Sequence, residues 1–217
     1  MSSENSLNNA PQTSEANRTY ERGLVVVVYK TKDDFGGLSN MAAGFPLKIN
    51  GVRVPTSEAL YQACRYPNNP EAQQEIIGQF SPMTAKMKAK TFKSQTRSDW
   101  DEVRFKIMRW CLRVKLNQNF DEFSRLLLAT KERPIVEQSR RDTYWGAKLS
   151  EDGTTLVGQN VLGRLLMELR ERLSKNGEAA FGVVEPLSIP DFCFLGRPIE
   201  PVSAPRSTKK QQDALFD

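Results

Sequence analysis

Residues 98–119, SDWDEVRFKIMRWCLRVKLNQN, decide how the rest of the chain must be arranged. Trp100, Val103, Ile107, Trp110, Cys111 and Val114 recur every three or four residues, the spacing that places side chains on one face of an α-helix. Ser98 precedes the run as the expected N-cap. An apolar face of this length needs partners along its whole extent, so the helix is expected at the centre of the core.

The partners lie on both sides of it. DEFSRLLLATK (121–131) and NVLGRLLMELRERLSK (160–175) are amphipathic, the second with an apolar stripe of Val161, Leu162, Leu165, Leu166, Leu169 and Leu173. Upstream, PEAQQEIIGQF (70–80) reads as a short helix, and SPMTAKMKAKTF (81–92) as another, with Ser81 as N-cap and Pro82 in the first helical position. PTSEALYQA (55–63) starts a helix capped by Thr56 that runs to about Tyr66, where Pro67 stops it.

Strand signals are fewer. LVVVVY (24–29) is a β-branched run short enough for a buried strand, PIVEQ (134–138) is a second short candidate, and Asn50-Gly51 inside LKINGVRV favours a two-residue type I′ hairpin. The fold class expected is α+β: a mostly helical single domain with a small β-hairpin or sheet. Residues 1–22 read as a flexible tail poor in apolar side chains, 23–175 as the domain, and 176–217 as an extension. In that extension PDFCFLG (190–196) is expected to dock on the domain surface, or alternatively to meet a partner, before a solvated end.

Composition narrows the chemistry. The 217 residues contain no histidine, which excludes Ser-His-Asp triads, Cys-His dyads and histidine-ligated metals. Cys64, Cys111 and Cys193 show no CxxC spacing and are expected as reduced thiols; no cofactor or metal is expected. A net charge of +5 suits a polyanionic partner. No apolar run approaches the roughly 18 residues of a membrane span, and MSSENSLNNAPQTSEAN lacks signal-peptide features, so a cytoplasmic monomer without membrane contact is expected.

Several residues are candidates for function, each beside a structural alternative. Glu58, in the first turn of its helix, can act as general acid or base, or simply favour the helix dipole. Tyr61, Gln62 and Arg65 share its face by spacing. FGGLSN (35–40) is a glycine turn that can bring backbone N–H groups to a ligand, or a plain loop. DTYWG (142–146) sets Asp142 beside Tyr144 and Trp145, as a wall for a flat ring or as core packing. Lys86, Lys90, Lys93 and Arg97 follow helical spacing as a phosphate-binding stripe or a solvated face. Asn160 suits a helix cap, and Trp100 serves a core role or a ligand contact equally well.

Together, FGGLSN, PTSEALYQA, SPMTAK, DWDEVRFKIMRWCLRVK, LLLAT, DTYWG and GQNVLGRLLMELR, in this order, resemble the NADAR family of N-glycosidases over roughly residues 24–175. The resemblance implies hydrolysis of a bond between a ribose anomeric carbon and nitrogen. It implies Glu58 as the central catalytic acid and a site lined by Asp142, Trp145 and Trp100. The substrate-binding set expected on this basis is Asn40, Tyr61, Gln62, Trp100, Tyr144, Trp145, Gly146 and Asn160, with Lys90, Lys93 and Arg97 toward nucleic acid. Family members commonly carry histidine after the glutamate; this chain has Ala59.

Two activities follow from the resemblance: cleavage of phosphorylated ribosylamine intermediates of riboflavin synthesis, and removal of ADP-ribose from guanine in nucleic acid. The expected function is the second, releasing ADP-ribose and reversing an ADP-ribosyltransferase toxin that modifies DNA. Ribosylamine hydrolysis and non-catalytic reading of ADP-ribose are the alternatives. Two routes remain open. In one, ring opening gives an imine that Lys86 captures as a Schiff base; in the other, Glu58 assists an oxocarbenium-like displacement.

Overall fold

A computed structural model describes residues 16–204. In chain order the strands are β1 (Arg18–Glu21), β2 (Val26–Val28), β3 (Leu47–Ile49), β4 (Val52–Val54), β5 (Ile135–Glu137), β6 (Lys148–Leu149), β7 (Thr155–Gly158), β8 (Val183–Val184), β9 (Cys193–Phe194), β10 (Arg197–Pro198) and β11 (Val202–Ser203). The helices are α1 (Ser57–Ala63), α2 (Pro70–Ile77), α3 (Pro82–Thr91), α4 (Trp100–Gln118), α5 (Phe120–Ala129) and α6 (Val161–Asn176). The architecture is α+β, with the strands distributed among several small sheets.

Helix α4 is the axis of the core, as its periodicity predicts. Val103, Ile107, Trp110, Cys111 and Val114 are all buried, and the helix packs on α1, α5, α6 and the β3–β4 and β8–β11 pairs. Its first turn differs from expectation: Asp99, not Ser98, is the N-cap, and it makes no side-chain cap bond. The reason is local competition, because Arg97 binds the Asp99 carboxylate through Nε (2.5 Å) and Nη2 (2.9 Å).

The short elements follow their local chemistry. Asn50 (φ 48°) and Gly51 (φ 83°) make the expected hairpin turn between β3 and β4. Thr56 Oγ1 accepts the Ala59 N–H to cap α1, but the helix ends at Ala63, earlier than Tyr66. Helix α3 ends at Thr91, so Lys93 and Arg97 lie on the turn that follows it and the helical stripe breaks after Lys90.

LVVVVY contributes the three residues of β2, which pair in parallel with β5 so that Val28 faces Glu137 across the register. Helix α6 packs on β5. Gly163 permits this, since a Cβ there would stand 2.1 Å from the Ile135 carbonyl oxygen.

The described parts of both terminal segments are more integrated than composition suggests, while residues 1–15 of the expected tail and the expected solvated end at 205–217 lie outside the described residues. Arg18–Glu21, assigned above to the tail, form β1 and pair antiparallel with β7. Edge pairing satisfies backbone groups without requiring apolar side chains, so composition does not reveal it. Phe192 and Phe194 of the extension are buried with the α4 core rather than resting on a surface. The Trp110 ring meets Phe192 edge-on at 5.0 Å, and its Nε1 donates to the Glu185 carbonyl at 3.0 Å. Among the described residues no helix is long and apolar enough to cross a membrane.

Gly163→Ala is expected to destabilise the fold by about 1–3 kcal/mol, the usual cost of overpacking. Gly23→Ala, where an added Cβ meets nothing within 4 Å, should stay within about 0.5 kcal/mol of the parent. Urea denaturation of both variants checks the pair, and equal losses would contradict the close approach of α6 to β5.

Candidate active site

The site is assembled around α1. Its Thr56 cap places Glu58 in the first turn, where the side chain is only 5% exposed. Glu58 Oε2 accepts from Asn40 Nδ2 (2.7 Å) and Oε1 from Gln62 Nε2 (2.8 Å). The two donors have different origins: Gln62 lies one turn along the same helix, whereas Asn40 arrives from the loop that follows FGG.

That loop is held by a buried lysine. Lys115 of α4 donates from Nζ to the carbonyl oxygens of Gly37 (2.7 Å) and Ser39 (3.0 Å). Its ammonium sits over the rings of Phe45 and Phe123 at 4.4 and 4.5 Å. Burial pushes this group down to about 7, with Glu122 acting weakly the other way. A neutral amine has two N–H donors, and the loop offers two carbonyls.

The second wall comes from DTYWG. Asp142 Oδ1 accepts the backbone N–H of both Tyr144 and Trp145 (2.9 Å each), and the Asp142 N–H donates to Ser139 Oγ (3.0 Å). This turn fixes the Trp145 ring edge-on to Tyr61 at 5.6 Å, and Tyr61 in turn tilts on Trp100 at 5.1 Å. Gly146 lets the turn close on β5, because a Cβ there would stand 2.5 Å from the Glu137 carbonyl oxygen.

Between these walls lies a cavity of about 570 Å³, within the range of small-molecule sites. Its carboxyl groups are Glu58, Asp101, Glu137 and Asp142, and its cations are Arg65, Lys86, Lys93, Arg97 and Arg104. Burial, reinforced by the Glu58 and Asp142 carboxylates and opposed by Lys86, pushes Glu137 up to about 8. Burial raises the Tyr61 phenol well beyond its ordinary range, with Glu58 adding to the effect and Arg104 and Arg65 opposing it. Burial also raises the Cys111 thiol, which removes it as a nucleophile.

The guanidinium groups are incompletely satisfied. Arg97 is tied to Asp99 and to the Pro190 carbonyl (2.6 Å), yet its Nη1 is buried without an acceptor. Arg65 lies over Trp100 at 5.0 Å and Arg104 over Tyr144 at 4.1 Å, and the Nε of each is likewise buried and unpaired. Each such donor carries a desolvation cost that the fold leaves unoffset.

The structure brings Asn40, Glu58, Tyr61, Gln62, Lys86, Lys93, Arg97, Trp100, Asp142, Trp145 and Gly146 to one cavity. Trp100 lines it from the first turn of α4 and is only half-buried, so it stands apart from the core tryptophan Trp110. Three expected residues lie elsewhere. Tyr144 packs behind the wall against Trp145 and Arg104. Lys90 is exposed on α3 outside the lining. Asn160 is fully buried with a left-handed backbone (φ 50°), and its side chain bonds the Ile135 carbonyl (2.8 Å) and the Glu137 N–H (3.0 Å) instead of capping α6 or reaching the cavity.

Glu137, Arg104 and Lys115 were not singled out by sequence. A carboxylate ending a β-branched strand just before DTYWG, and a lysine beside Val114 on an apolar helix, were the available signals.

The NADAR domain family model matches residues 27–174. The chain belongs to the NADAR family. It is 39% identical to "N-glycosidase YbiA" of Escherichia coli strain K12 over 150 residues, which is 69% of this chain and 89% of that protein. The NMR structure of E. coli YbiA superimposes with a TM-score of 0.58 at 35% identity, covering 71% of this chain and 91% of that one. "Riboflavin biosynthesis protein PYRR, chloroplastic" of Zea mays is 33% identical over 165 residues, spanning 69% of this chain but 25% of its own length.

In this NADAR chain Lys115 couples loop geometry to pH. Its pKa lies near 7 in the folded state against 10.5 when free. Between these values the unfolded chain holds the extra proton, so its contribution to stability rises with pH, by at most about 1.4 kcal/mol per unit. Lys115→Met, which leaves two buried carbonyls without a donor, should cost about 1–3 kcal/mol at pH 9. That deficit should shrink as the pH falls toward 6. Denaturant titrations from pH 6 to 9 measure it, and a pH-independent deficit would refute the assignment.

Proposed function

We propose that this chain removes ADP-ribose from guanine, carried in DNA or as a nucleotide. As an N-glycosidase it hydrolyses the bond between a ribose C1′ and a nitrogen. The observation that carries the finer reading is the excess of cationic donors around the cavity. The guanidinium groups of Arg65, Arg97 and Arg104, together with Lys86 and Lys93, line the cavity in a number that exceeds what a single phosphate monoester requires and suits a diphosphate with a nucleic-acid strand beyond it.

The remaining surfaces fit the other parts of such a substrate. Asn40 Oδ1 is buried without a donor, and Asp142 Oδ2 meets none from the described residues, so both are acceptors for ribose hydroxyls. The Trp100, Tyr61 and Trp145 rings supply apolar faces for a base. Release of ADP-ribose would make the chain the counterpart of an ADP-ribosyltransferase toxin.

A second reading, hydrolysis of phosphorylated ribosylamines, is favoured by the relatives named for riboflavin biosynthesis in maize and Vibrio vulnificus. A non-catalytic reader is disfavoured, because binding alone gives no reason to hold Glu58 by amide donors on both oxygens.

The test is hydrolysis of an ADP-ribosylated guanine oligonucleotide beside the ribosylamine phosphate. Release of ADP-ribose from DNA, falling by about 10²–10⁴ in Glu58→Gln and weakening with salt, is the expected result. Turnover of the ribosylamine alone would assign the second reading. Loss of all activity in Lys86→Ala, with a trappable adduct in the parent, would select the Schiff-base route; retention of most activity would select the displacement route.

A further inference from the structure

Glu137 differs from the other acids of the cavity. Both oxygens of Glu58 accept amide N–H groups, and Asp142 Oδ1 accepts two backbone N–H groups. The Glu137 carboxyl lines the same cavity yet receives no hydrogen bond and makes no ion pair with any described residue.

Its backbone, by contrast, is fixed on both sides. The Glu137 N–H donates to Asn160 Oδ1 at 3.0 Å, and its carbonyl accepts the Ala147 N–H at 2.8 Å. Asn160 Nδ2 holds the Ile135 carbonyl at 2.8 Å, so one side chain spans two residues of β5. The strand end is therefore a rigid mount for a side chain that the protein itself leaves unused.

We propose that Glu137 is the general acid of the reaction and delivers its carboxyl proton to the nitrogen that leaves C1′. The groups facing it are Glu58 from α1, Asp142 from the following loop and Lys86 from α3. Burial and the two carboxylates outweigh the lysine and push its pKa up to about 8, so the proton is in place at neutral pH.

As the C1′–N bond breaks, its electron pair goes to nitrogen, which takes the Glu137 proton and departs as the amine. The ribose ring oxygen shares a lone pair with C1′, and the resulting cation faces Glu58. Water adds to C1′ and gives its proton to Glu58; Glu58 then releases that proton to solvent as solvent returns one to Glu137, which restores both groups. One water is consumed and one amine and one free ribosyl hydroxyl are formed.

The assignment moves proton donation from Glu58 to Glu137 and leaves Glu58 to stabilise the cation and accept the water's proton. It rests on N-glycosyl cleavage by the displacement route and not on which ribosyl substrate is used; a trappable Lys86 adduct would overturn it.

Two measurements test it. In kcat/KM–pH profiles, wild type should lose activity on an alkaline limb centred near 8. Glu137→Gln should lower kcat by about 10²–10⁴ at pH 7 with little change in KM, and lack that limb. In carbon-13 NMR of glutamate-labelled free protein, one carboxyl should titrate near 8 in wild type and be absent from Glu137→Gln. A variant within about threefold of wild type, an alkaline limb that survives the substitution, or no carboxyl titrating above pH 6 would each overturn the proposal. Turnover of ribosylamine phosphate but not ADP-ribosylated guanine would sink the substrate reading alone, with the profiles then taken on the ribosylamine; turnover of neither would sink both.

Discussion

The site depends on one buried contact, between the Lys115 side chain and the two loop carbonyls of Gly37 and Ser39. An amine enclosed by Phe45 and Phe123 carries a desolvation cost that only satisfied donors offset. The backbone supplies two acceptors, and in doing so it fixes the segment whose next residue is Asn40. Asn40 then fixes Glu58. A helix chosen for its apolar face thus reaches through a single lysine to the carboxylate at the centre of the cavity, and core and site share one structural element.

A second constraint acts from the opposite side. Asn160 is held in the left-handed region by its place between β7 and α6, and its amide grips β5 at Ile135 and Glu137. Gly146 and Gly163 are small because two segments crowd the same strand, the DTYWG turn and helix α6. The crowding orients Glu137 and Trp145 together. Glu137 and Trp145 are therefore placed by backbone contacts, which makes their geometry insensitive to the exposed side chains around them.

Periodicity made the helices legible, since each buries one face and repeats every three or four residues. The hairpin was legible from Asn50-Gly51, where turn chemistry acts locally. The ends of elements were less so. Ser98 satisfies the rule for a cap, yet Asp99 takes the position because Arg97 stands two residues before it, an interaction that spacing rules ignore. β1 was invisible because its stability comes from pairing with a strand far along the chain. In the cavity, Glu58 stood out as a carboxylate in the first turn of a capped helix, and the DTYWG loop because an acid beside two aromatics is conspicuous. Glu137 and Lys115 did not, since their roles arise from where β5 ends and from what surrounds α4, both tertiary facts.

The extension adds a further step. It lies beyond the 27–174 family match, yet it holds one residue of the cavity lining, Arg97, from behind. Phe192 packs on Trp110, Gln73 of α2 accepts the Leu195 N–H (2.6 Å) and donates to the Cys193 carbonyl (3.1 Å), and Pro190 accepts from Arg97. Arg97 is held between Asp99 and that carbonyl, so the segment outside the match helps to fix the position of a cationic side chain in the cavity wall. The carboxylates of the cavity belong to the shared domain, and the position of one cation in its wall depends in part on this chain's own extension. The two kinds of charge are thereby placed by separable parts of the sequence.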